Sequence, residues 1–384
     1  MKFISYRRLQ TTLALVTLGF LACASLAQTA GGSNAASPSG SRLELPAALL
    51  QIAGQNYDWQ DTARDRAVPV RLYMPDVVAT GGKAVPLIVF SHGLGGSRNG
   101  YQYLGRFWAS QGYASLHVQH IGSDNTLWRG NPLSLTMRLS NAAQDDEAMA
   151  RAKDVSFALT ELLAMPSMAG RLDANRIVAA GHSYGANTTM LVAGALVPGK
   201  GENGQTLNMR DPRIKAAIIM SAPPFYGFIN PGAILGNIAM PTLHITATGD
   251  DILVPGYGSG FEDRVNVFNA MGDARKTLVV FTGGSHSIFT DRSNTGGAEL
   301  NPKVKAATQA LSLAFLKQTV VPQLAGSYFS VRLGDVQKAF SQSPWVRHVD
   351  VRRVWPNRVW VVVEEHQASA LLNNNLLIND QGEP

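Results

Sequence analysis

The 384-residue sequence contains a single cysteine, Cys23, and few charged residues. One cysteine cannot form a disulfide within the chain, which excludes a disulfide-stapled fold. Charged residues make up 16% of the chain, and the net charge is only +6. Because no basic run interleaved with aromatic residues occurs, this charge argues for a solvated surface and against a nucleic-acid partner. Hydrophobic residues make up 45% of the chain, which indicates a globular protein.

The N-terminal segment has the pattern of a secretory signal. A basic start and a short apolar run at residues 11–22 precede a small-x-small sequence that ends at Ala27. The apolar run is short for a membrane-spanning helix. We therefore predict a signal peptide over residues 1–27, a secreted or periplasmic mature chain and no stable membrane span. The alternative is a lipoprotein acylated at Cys23. Residues 28–44 are rich in Gly, Ser and Ala, which predicts a flexible lead-in.

Residues 181–185 read Gly-His-Ser-Tyr-Gly, between an apolar run at residues 176–180 and a small-residue helical pattern at residues 186–195. A serine on such a tight strand-to-helix turn takes a strained backbone, and its hydroxyl projects clear of the sheet. Glycines flank the turn because a side chain there would collide with the neighbouring strand or helix. The pattern predicts that Ser183 is a nucleophile rather than an incidental serine in a glycine-rich turn.

A serine nucleophile needs a base, and the base needs a carboxylate that orients it. Asp250 and Asp251 follow a predicted buried strand at residues 241–248, and His286 follows a predicted strand at residues 277–281. Three strand ends therefore carry Ser, Asp and His in chain order. This arrangement predicts a catalytic triad.

A glycine-rich loop, His-Gly-Leu-Gly-Gly at residues 92–96, follows a continuous apolar run at residues 86–91. Glycines at this place let the backbone approach a ligand closely. A phosphate-binding loop is the rival interpretation, but no Lys-Ser/Thr pair follows. Residues 194–200 have the spacing of a phosphate-binding loop, yet they follow a helical pattern and Gly201 stands where Ser or Thr would bind the metal.

The remaining elements follow from the same patterns. Alternation at residues 69–75 is typical of an edge strand. Residues 121–141 are expected to be a long irregular loop, either a lid or a surface excursion. The further elements expected are a helix at 98–111, a strand at 113–120, a helix at 145–163, a strand at 214–221 and a closing helix at 301–317.

Four residues are candidates for binding a substrate. Aromatic residues in the loop at 222–238 would suit the apolar wall of a binding pocket, or would simply cover the core. Glycine in the loop after the strand at 86–91 allows a close approach to a ligand, and tryptophan lies in the long loop at 121–141. The candidates are Gly93, Trp128, Phe225 and Tyr226.

Residues from about 45 to 319 resemble the α/β-hydrolase superfamily. Within it they are most similar to the esterases that are like dienelactone hydrolase and platelet-activating-factor acetylhydrolase. The resemblance is carried by residues 89–98 and 181–186 and by the regions of Asp250 and His286. It implies a mostly parallel eight-stranded sheet flanked by helices, in an α/β fold. It also implies ester hydrolysis without a cofactor or a metal.

The resemblance also suggests roles for individual residues. It assigns the oxyanion hole to the backbone N–H groups of Leu94 and Tyr184. Counting from Pro241, which opens the strand, favours Asp250 as the triad acid, whereas counting back from the Val-Pro pair after it favours Asp251. We prefer Asp250 because strand register is fixed more tightly than loop length, and Asp251 stays the alternative.

Residues 320–384 resemble something else, namely part of the POTRA domain of the bacterial division protein FtsQ and the start of its following β-domain. The resemblance is carried by residues 343–347 (Ser-Pro-Trp-Val-Arg), 349–357 and 364–366. It implies a helix at 335–340 followed by strand, turn and strand. Only the second half of that small domain is covered, and such a piece buries little core. The segment is either a functional module or an artefact of fusion or frameshift.

The sequence thus favours a secreted serine esterase that acts on a small-molecule, lipid or polymer ester. A second hypothesis is a periplasmic interaction protein that contacts division proteins through its C-terminal segment. A third is a peptidase or acyltransferase, because these enzymes use the same triad. The acyl and alcohol preference would depend on the loops at 121–141 and 222–238.

Overall fold

The structure, a computed structural model, describes residues 52–76, 81–200, 202–228, 230–254, 256–293, 295, 297 and 299–320. In the C-terminal part it describes residues 333, 334, 337, 341, 346–354, 358–365, 368–372 and 376–379. The predicted signal peptide, the lead-in and, apart from residue 337, the predicted helix at 335–340 lie outside the described residues.

One sheet organises the described N-terminal part of the chain. Its strands are β1 Gly54–Asp61, β2 Arg66–Tyr73, β3 Val85–Ser91, β4 Ala114–Val118, β5 Leu172–His182, β6 Ile214–Met220, β7 Thr242–Gly249 and β8 Lys276–Ser285. The helices are α1 Gln102–Ser110, α2 Leu135–Ala142, α3 Asp145–Ala164, α4 Tyr184–Ala193, α5 Pro231–Leu235, α6 Phe261–Ala270 and α7 Leu300–Val320.

The strand order is β1-β2-β4-β3-β5-β6-β7-β8. β2 pairs antiparallel with both β1 and β4, and every later pair in the sheet is parallel. This is the mostly parallel, eight-stranded α/β-hydrolase sheet that the sequence predicts. Parallel strands need crossover connections, which are mainly helices, and those helices cover both faces of the sheet.

The helices divide between the two faces of the sheet. Successive side chains of a strand point to opposite faces. On β3, Val89 therefore joins the core that α3 and α4 cover, whereas Phe90 joins the core that α1 and α7 cover. Every residue of β3 is buried, which explains its continuous apolar sequence.

The edge of the sheet differs from the sequence prediction. The strand predicted at residues 69–75 is β2, and it lies between β1 and β4 rather than at the edge. β1 is the edge strand at this end of the sheet, and the sequence analysis missed it. Its sequence, Gly-Gln-Asn-Tyr-Asp-Trp-Gln-Asp, is polar and largely exposed, so hydrophobic alternation could not reveal it.

The long segment at residues 121–141 is more regular than predicted. It contains two short 3-10 helices, Asn125–Trp128 and Pro132–Ser134, and leads into α2. Side chains of Asp124 and Asn131 cap the two 3-10 helices by accepting backbone N–H bonds. The segment is therefore largely helical rather than an irregular loop.

The C-terminal part contains two antiparallel strand pairs. Val346–Val354 pairs with Arg358–Glu365, and Ala368–Leu372 pairs with Leu376–Asn379. The first pair confirms the two strands predicted there, and the residues of the predicted turn, 355–357, lie outside the described residues. Across the described residues, no helix is both long enough and apolar enough to cross a bilayer.

Candidate active site

Ser183 lies on the sharp turn between β5 and α4. Its backbone has φ 57° and ψ −123°, a conformation that is strained for any residue other than glycine. The flanking glycines make the turn possible. A Cβ atom on Gly185 would overlap the carbonyl of Ser91, and one on Gly181 would overlap the carbonyl of Gly185. The turn thus holds the serine hydroxyl at the carboxyl end of the sheet.

Ser183, His286 and Asp250 form one hydrogen-bonded chain. Ser183 Oγ lies 2.7 Å from His286 Nε2, and His286 Nδ1 lies 2.6 Å from Asp250 Oδ1. A carboxylate can only accept, so His286 donates from Nδ1 and its Nε2 accepts from the hydroxyl of Ser183. In this tautomer the imidazole can take a proton from the serine.

Asp250 lies in a fully buried environment, with its side chain 0% exposed. Its Oδ2 accepts from Thr246 Oγ1 at 2.7 Å and lies 3.5 Å from Arg264 Nε. Burial works to raise the pKa of Asp250, but the hydrogen bond from His286 and the charge of Arg264 hold that pKa well below its usual range. The alternative acid, Asp251, is exposed, and His286 pairs with Asp250 instead.

Two backbone amides border the cavity beside Ser183, those of Leu94 and Tyr184. Tyr184 is the first residue of α4, so its N–H has no acceptor within the helix. Leu94 lies in the loop after β3, where the next N–H, that of Gly95, donates to the carbonyl of Ser123 at 2.8 Å. Neither the Leu94 nor the Tyr184 amide has an acceptor among the described residues. Both can therefore donate to an oxygen held above the serine.

A second histidine, His182, forms a hydrogen bond to the backbone of His286. His182 Nε2 lies 2.9 Å from the carbonyl oxygen of His286, and Nδ1 lies 2.8 Å from the hydroxyl of Tyr101. The carbonyl can only accept, so His182 donates from Nε2 and accepts from Tyr101 at Nδ1. Burial lowers the pKa of His182 to about 3, which keeps the ring in the neutral form that this bonding requires. The sequence analysis assigned neither residue a role.

Arg151, on α3, joins the two sides of this site and is another residue that the sequence analysis missed. It is fully buried. Its Nε donates to Thr188 Oγ1 at 2.9 Å, and Nη2 donates to the carbonyl of His92. Its guanidinium carbon lies 4.4 Å from the centre of the Tyr184 ring. Burial lowers the pKa of Arg151 to about 10, so the group stays charged at neutral pH. Arg151 thus links the loop that carries Leu94 to the helix that begins at Tyr184.

A cavity of about 790 Å³ opens at Ser183. Trp128 stands on one wall, where its Nε1 donates to the carbonyl of Gly95 at 2.7 Å. Tyr226 stands on another wall, and its hydroxyl donates to the carbonyl of Tyr257 at 2.5 Å. The structure places all four predicted binding candidates on the cavity wall: Gly93, Trp128, Phe225 and Tyr226.

The described residues contain no group of three or more His, Cys, Asp or Glu side chains that could hold a metal ion. His120, which follows β4, is instead part of a buried network. Its Nδ1 lies 3.1 Å from Asp154 Oδ2, and its Nε2 lies 3.1 Å from Ser91 Oγ. These contacts use both ring nitrogens of His120 inside the core.

Two family profiles match parts of the chain. The profile described as platelet-activating factor acetylhydrolase, isoform II, matches residues 64–128, which include the loop with Leu94. The profile described as POTRA domain, FtsQ-type, matches residues 303–366. Each match covers less than half of the chain. The second match begins inside α7, upstream of the boundary near residue 320 that the sequence predicts.

The curated relatives match short stretches of the chain. The cell division protein FtsQ of Bordetella pertussis is 42% identical over 73 residues, which are 19% of this chain and 27% of that protein. FtsQ of Coxiella burnetii is 38% identical over 81 residues, which are 21% of this chain and 33% of that protein. The chain therefore spans between a quarter and a third of the length of these relatives.

Solved structures resemble about 70% of the chain. A ferulic acid esterase from Streptomyces cinnamoneus has 21% identity and a TM-score of 0.48, with 73% of this chain and 94% of that chain covered. A dienelactone hydrolase from Anabaena variabilis has 16% identity and a TM-score of 0.45, with 70% and 99% covered. An acylaminoacyl peptidase from Pyrococcus horikoshii has 15% identity and a TM-score of 0.49, with 70% and 42% covered.

The chain thus has an α/β-hydrolase fold and a C-terminal part that resembles the FtsQ-type POTRA domain. The strand order of the sheet is the basis for the first statement. The match at residues 303–366 is the basis for the second. The fold and the acetylhydrolase match at residues 64–128 together support hydrolase activity.

Proposed function

We propose that this chain is a serine hydrolase that cleaves carboxylic esters through an acyl-enzyme intermediate. The observation that carries the proposal is the hydrogen-bonded chain from Ser183 through His286 to Asp250 at the edge of the cavity. A serine hydroxyl bonded to a correctly oriented neutral imidazole is the arrangement from which acyl transfer proceeds.

In the first half of the reaction, Ser183 Oγ attacks the ester carbonyl carbon while its proton passes to His286 Nε2. Negative charge moves onto the carbonyl oxygen, and the N–H groups of Leu94 and Tyr184 stabilise it. Asp250 stabilises the imidazolium that forms at His286. The bond to the alcohol oxygen then breaks, and that oxygen takes the proton from Nε2. The acyl group stays on the serine.

In the second half, water replaces the alcohol. His286 Nε2 takes a proton from the water as the water oxygen attacks the acyl carbon. A second oxyanion forms in the same place between the two amides. When the bond to Ser183 Oγ breaks, the serine recovers its proton from Nε2 and the carboxylic acid leaves. If another alcohol replaced water, the same steps would give acyl transfer.

Hydrolysis of p-nitrophenyl esters, from acetate to long acyl chains, tests this proposal. We expect turnover by the wild type and a loss of at least about 10³-fold in Ser183→Ala, because the nucleophile is absent. A p-nitroanilide with the same acyl group tests the peptidase alternative. A folded wild-type protein without turnover on any ester would contradict the proposal.

We also propose an organisation for the chain. The signal pattern supports secretion or a periplasmic location, with a signal peptide at 1–27 and a lead-in at 28–44. The hydrolase domain would cover residues 45–319, and residues 320–384 would form the POTRA-like segment. The substrate would be a small-molecule, lipid or polymer ester.

A second function is supported by the match to the FtsQ-type POTRA domain at residues 303–366. The C-terminal segment would then contact a division protein in the periplasm, beside the hydrolase domain or in place of its activity. Pull-down by the full chain and by a chain that ends at residue 320 tests this function. Equal recovery of division proteins by both chains would contradict it.

A further inference from the structure

Arg151 is fully buried, yet the acceptors that the structure gives it in the described part of the chain are all neutral. Its Nη1 donates to Ser123 Oγ at 2.8 Å and its Nε to Thr188 Oγ1 at 2.9 Å, while its Nη2 donates to the carbonyl of His92. Arginine is almost never fully buried unless it is paired with an acid, because removing its charge from water is costly. The position of these acceptors indicates what this arginine does.

Two of the three contacts hold the loop that carries Leu94. The bond to the carbonyl of His92 fixes the start of that loop. Ser123 fixes its other side, because its carbonyl accepts from the N–H of Gly95 at 2.8 Å while its hydroxyl accepts from Arg151. Leu94 lies between His92 and Gly95 in the chain. The direction of its N–H group therefore depends on both contacts.

The third contact holds the helix that supplies the second oxyanion donor, Tyr184. Thr188 Oγ1 accepts from Arg151 Nε and donates to the carbonyl of Tyr184 at 3.1 Å. The guanidinium carbon also lies 4.4 Å from the centre of the Tyr184 ring. One rigid, planar group thus contacts both of the elements whose N–H groups face the cavity beside the serine.

Glu147 supports this arrangement from one turn earlier on α3. Ser123 Oγ donates to Glu147 Oε1 at 2.6 Å, which leaves the lone pairs of the hydroxyl free to accept from Arg151. Arg66 Nη2 in turn donates to Glu147 Oε1 at 3.1 Å. A carboxylate therefore lies one hydroxyl away from the buried guanidinium, which offsets part of the cost of burying it.

We propose that Arg151 is a positioning residue that keeps the oxyanion hole preformed, with the N–H groups of Leu94 and Tyr184 directed at one point before the substrate binds. This proposal rests on the esterase function proposed above. Donors that are fixed in advance need no reorganisation when charge develops on the carbonyl oxygen, so they stabilise the transition state more than the bound ester. Arg151 is not among the described residues that line the cavity, so it acts through the backbone that it holds.

Arg151→Lys tests the proposal, because it keeps the charge but a single ammonium cannot reach three acceptors spread around a planar guanidinium. We measure kcat/KM for p-nitrophenyl butyrate and the inhibition constant of a trifluoromethyl ketone with the same propyl chain. Ser183 Oγ adds to the carbonyl carbon of this ketone, the serine proton passes to His286, and the ketone oxygen becomes an oxyanion. We expect kcat/KM to fall roughly tenfold to a hundredfold, less than the loss of about 10² to 10³-fold when one donor is removed outright. The inhibition constant should rise by a similar factor.

Two readouts separate this role from a general structural one. A partly unfolded variant would lose kcat in proportion to its active fraction, but its remaining active sites would keep the inhibition constant of the wild type. The pH at which kcat/KM falls to half on the acid side reports the triad, which the substitution leaves in place. This pH should therefore stay unchanged. An unchanged inhibition constant or a shifted acid side of the pH profile would overturn the proposal.

Arg213→Lys is the matched control, because Arg213 also donates to a backbone carbonyl and a threonine hydroxyl of α3 but does not line the cavity. It should stay within about twofold of the wild type in both measurements. Thr188→Val is a second variant, which tests the proposal even if Arg151→Lys fails to fold. It removes one acceptor of Arg151, so we expect a loss of roughly threefold to tenfold in kcat/KM and a matching rise in the inhibition constant.

The failure of this proposal can be distinguished from the failure of the esterase function. Wild-type values of kcat/KM and of the inhibition constant in both Arg151→Lys and Thr188→Val would overturn the role of Arg151 alone. No hydrolysis of any p-nitrophenyl ester by the folded wild type would overturn the esterase function and this proposal with it.

Discussion

Asp250 and Asp251 are neighbours in the chain but lie in opposite environments. Asp250 is buried against His286, whereas Asp251 is exposed. We expect Asp250→Asn to lower kcat by about 10³ to 10⁴-fold, because an amide can donate to Nδ1 and favour the wrong tautomer of His286. Asp251→Asn, the matched control, should stay within about twofold of the wild type. Steady-state hydrolysis of p-nitrophenyl butyrate measures both, and the reverse order would make Asp251 the acid.

Tyr101 acts on the reaction through His182, so removing its hydroxyl should have a small effect that is confined to kcat. Tyr101→Phe removes the hydroxyl that bonds His182 Nδ1 and leaves the ring in place. We expect kcat to fall roughly threefold to tenfold with KM unchanged, because the backbone of His286 loses part of its support. Tyr113→Phe is the control, since Tyr113 is equally buried in the same core. A rise in KM without a fall in kcat would contradict a positioning role.

Some site residues can be identified from the neighbouring sequence, whereas others are identified only by contacts with residues far away in the chain. Ser183 is marked by its own five-residue motif, and His286 by its place after a strand. His182 and Tyr101 are 81 residues apart, and Arg151 and His92 are 59 apart, so only the folded chain shows those contacts. A sequence motif reports backbone geometry near a residue, whereas side-chain support comes from other elements.

At the scale of elements, a buried ionic cluster fastens α3 to the start of β2. Asp154, on α3, has a side chain that is 0% exposed. It accepts from Arg64 Nη2 at 2.9 Å, from Arg66 Nε at 2.9 Å and from His120 Nδ1 at 3.1 Å. Burial works to raise the pKa of Asp154, but these partners lower it to about 2.

This cluster should make stability depend on pH. The folded-state pKa of Asp154 is below its ordinary value of 3.8, so its contribution is full above that value and is lost as pH falls toward 2. The contribution is about 2 kcal/mol at neutral pH. We expect Asp154→Asn to be less stable than the wild type at pH 7, with a gap that narrows by about that amount as pH falls from about 5 to 2.

Urea unfolding at a series of pH values measures this gap. Asp58→Asn is the control, because Asp58 forms an exposed ion pair with Arg98. Exposed pairs contribute little, so this variant should differ from the wild type by less than about 1 kcal/mol. A gap between Asp154→Asn and the wild type that stays constant down to pH 2 would contradict the linkage.

The elements that sequence predicts well are those whose pattern is set by burial. β3 is buried on both faces and reads as a continuous apolar run. β1 is held at the edge by backbone pairing with β2, with little apolar burial to mark it. The helix α2 is short and half-exposed, so its sequence resembles that of a loop.

At the scale of the whole molecule, α7 belongs both to the hydrolase core and to the stretch that matches the FtsQ-type POTRA domain. The FtsQ-type match begins at residue 303, yet α7 is packed against the hydrolase sheet. Val304 and Leu316 are buried there, and Ser312 Oγ accepts from Trp108 Nε1 of α1 at 3.0 Å. The packing assigns α7 to the hydrolase core, even though a profile of another family extends over it.

Two truncations test whether α7 belongs to the hydrolase domain or to the C-terminal module. A chain that ends at residue 320 should keep its melting temperature and stay within about twofold of full activity, since the sheet and all its helices remain. A chain that ends at residue 302 loses α7 and exposes apolar groups on α1 and the central strands. Three large buried side chains of α7, at about 1.5 to 3 kcal/mol each, together contribute an amount comparable to the stability of a typical domain. The three are Val304, Phe315 and Leu316.

We therefore expect the shorter chain to be unfolded or aggregated, with no cooperative thermal transition and no hydrolysis of p-nitrophenyl butyrate. Circular dichroism melting measures the folding of both chains, and the ester assay measures their activity. If the chain ending at residue 302 stayed folded and active, α7 would belong to the C-terminal module. If the chain ending at residue 320 lost its activity, residues beyond α7 would be part of the working hydrolase. The expected pattern, an intact long form and an unfolded short form, assigns the boundary between the two parts to the end of α7.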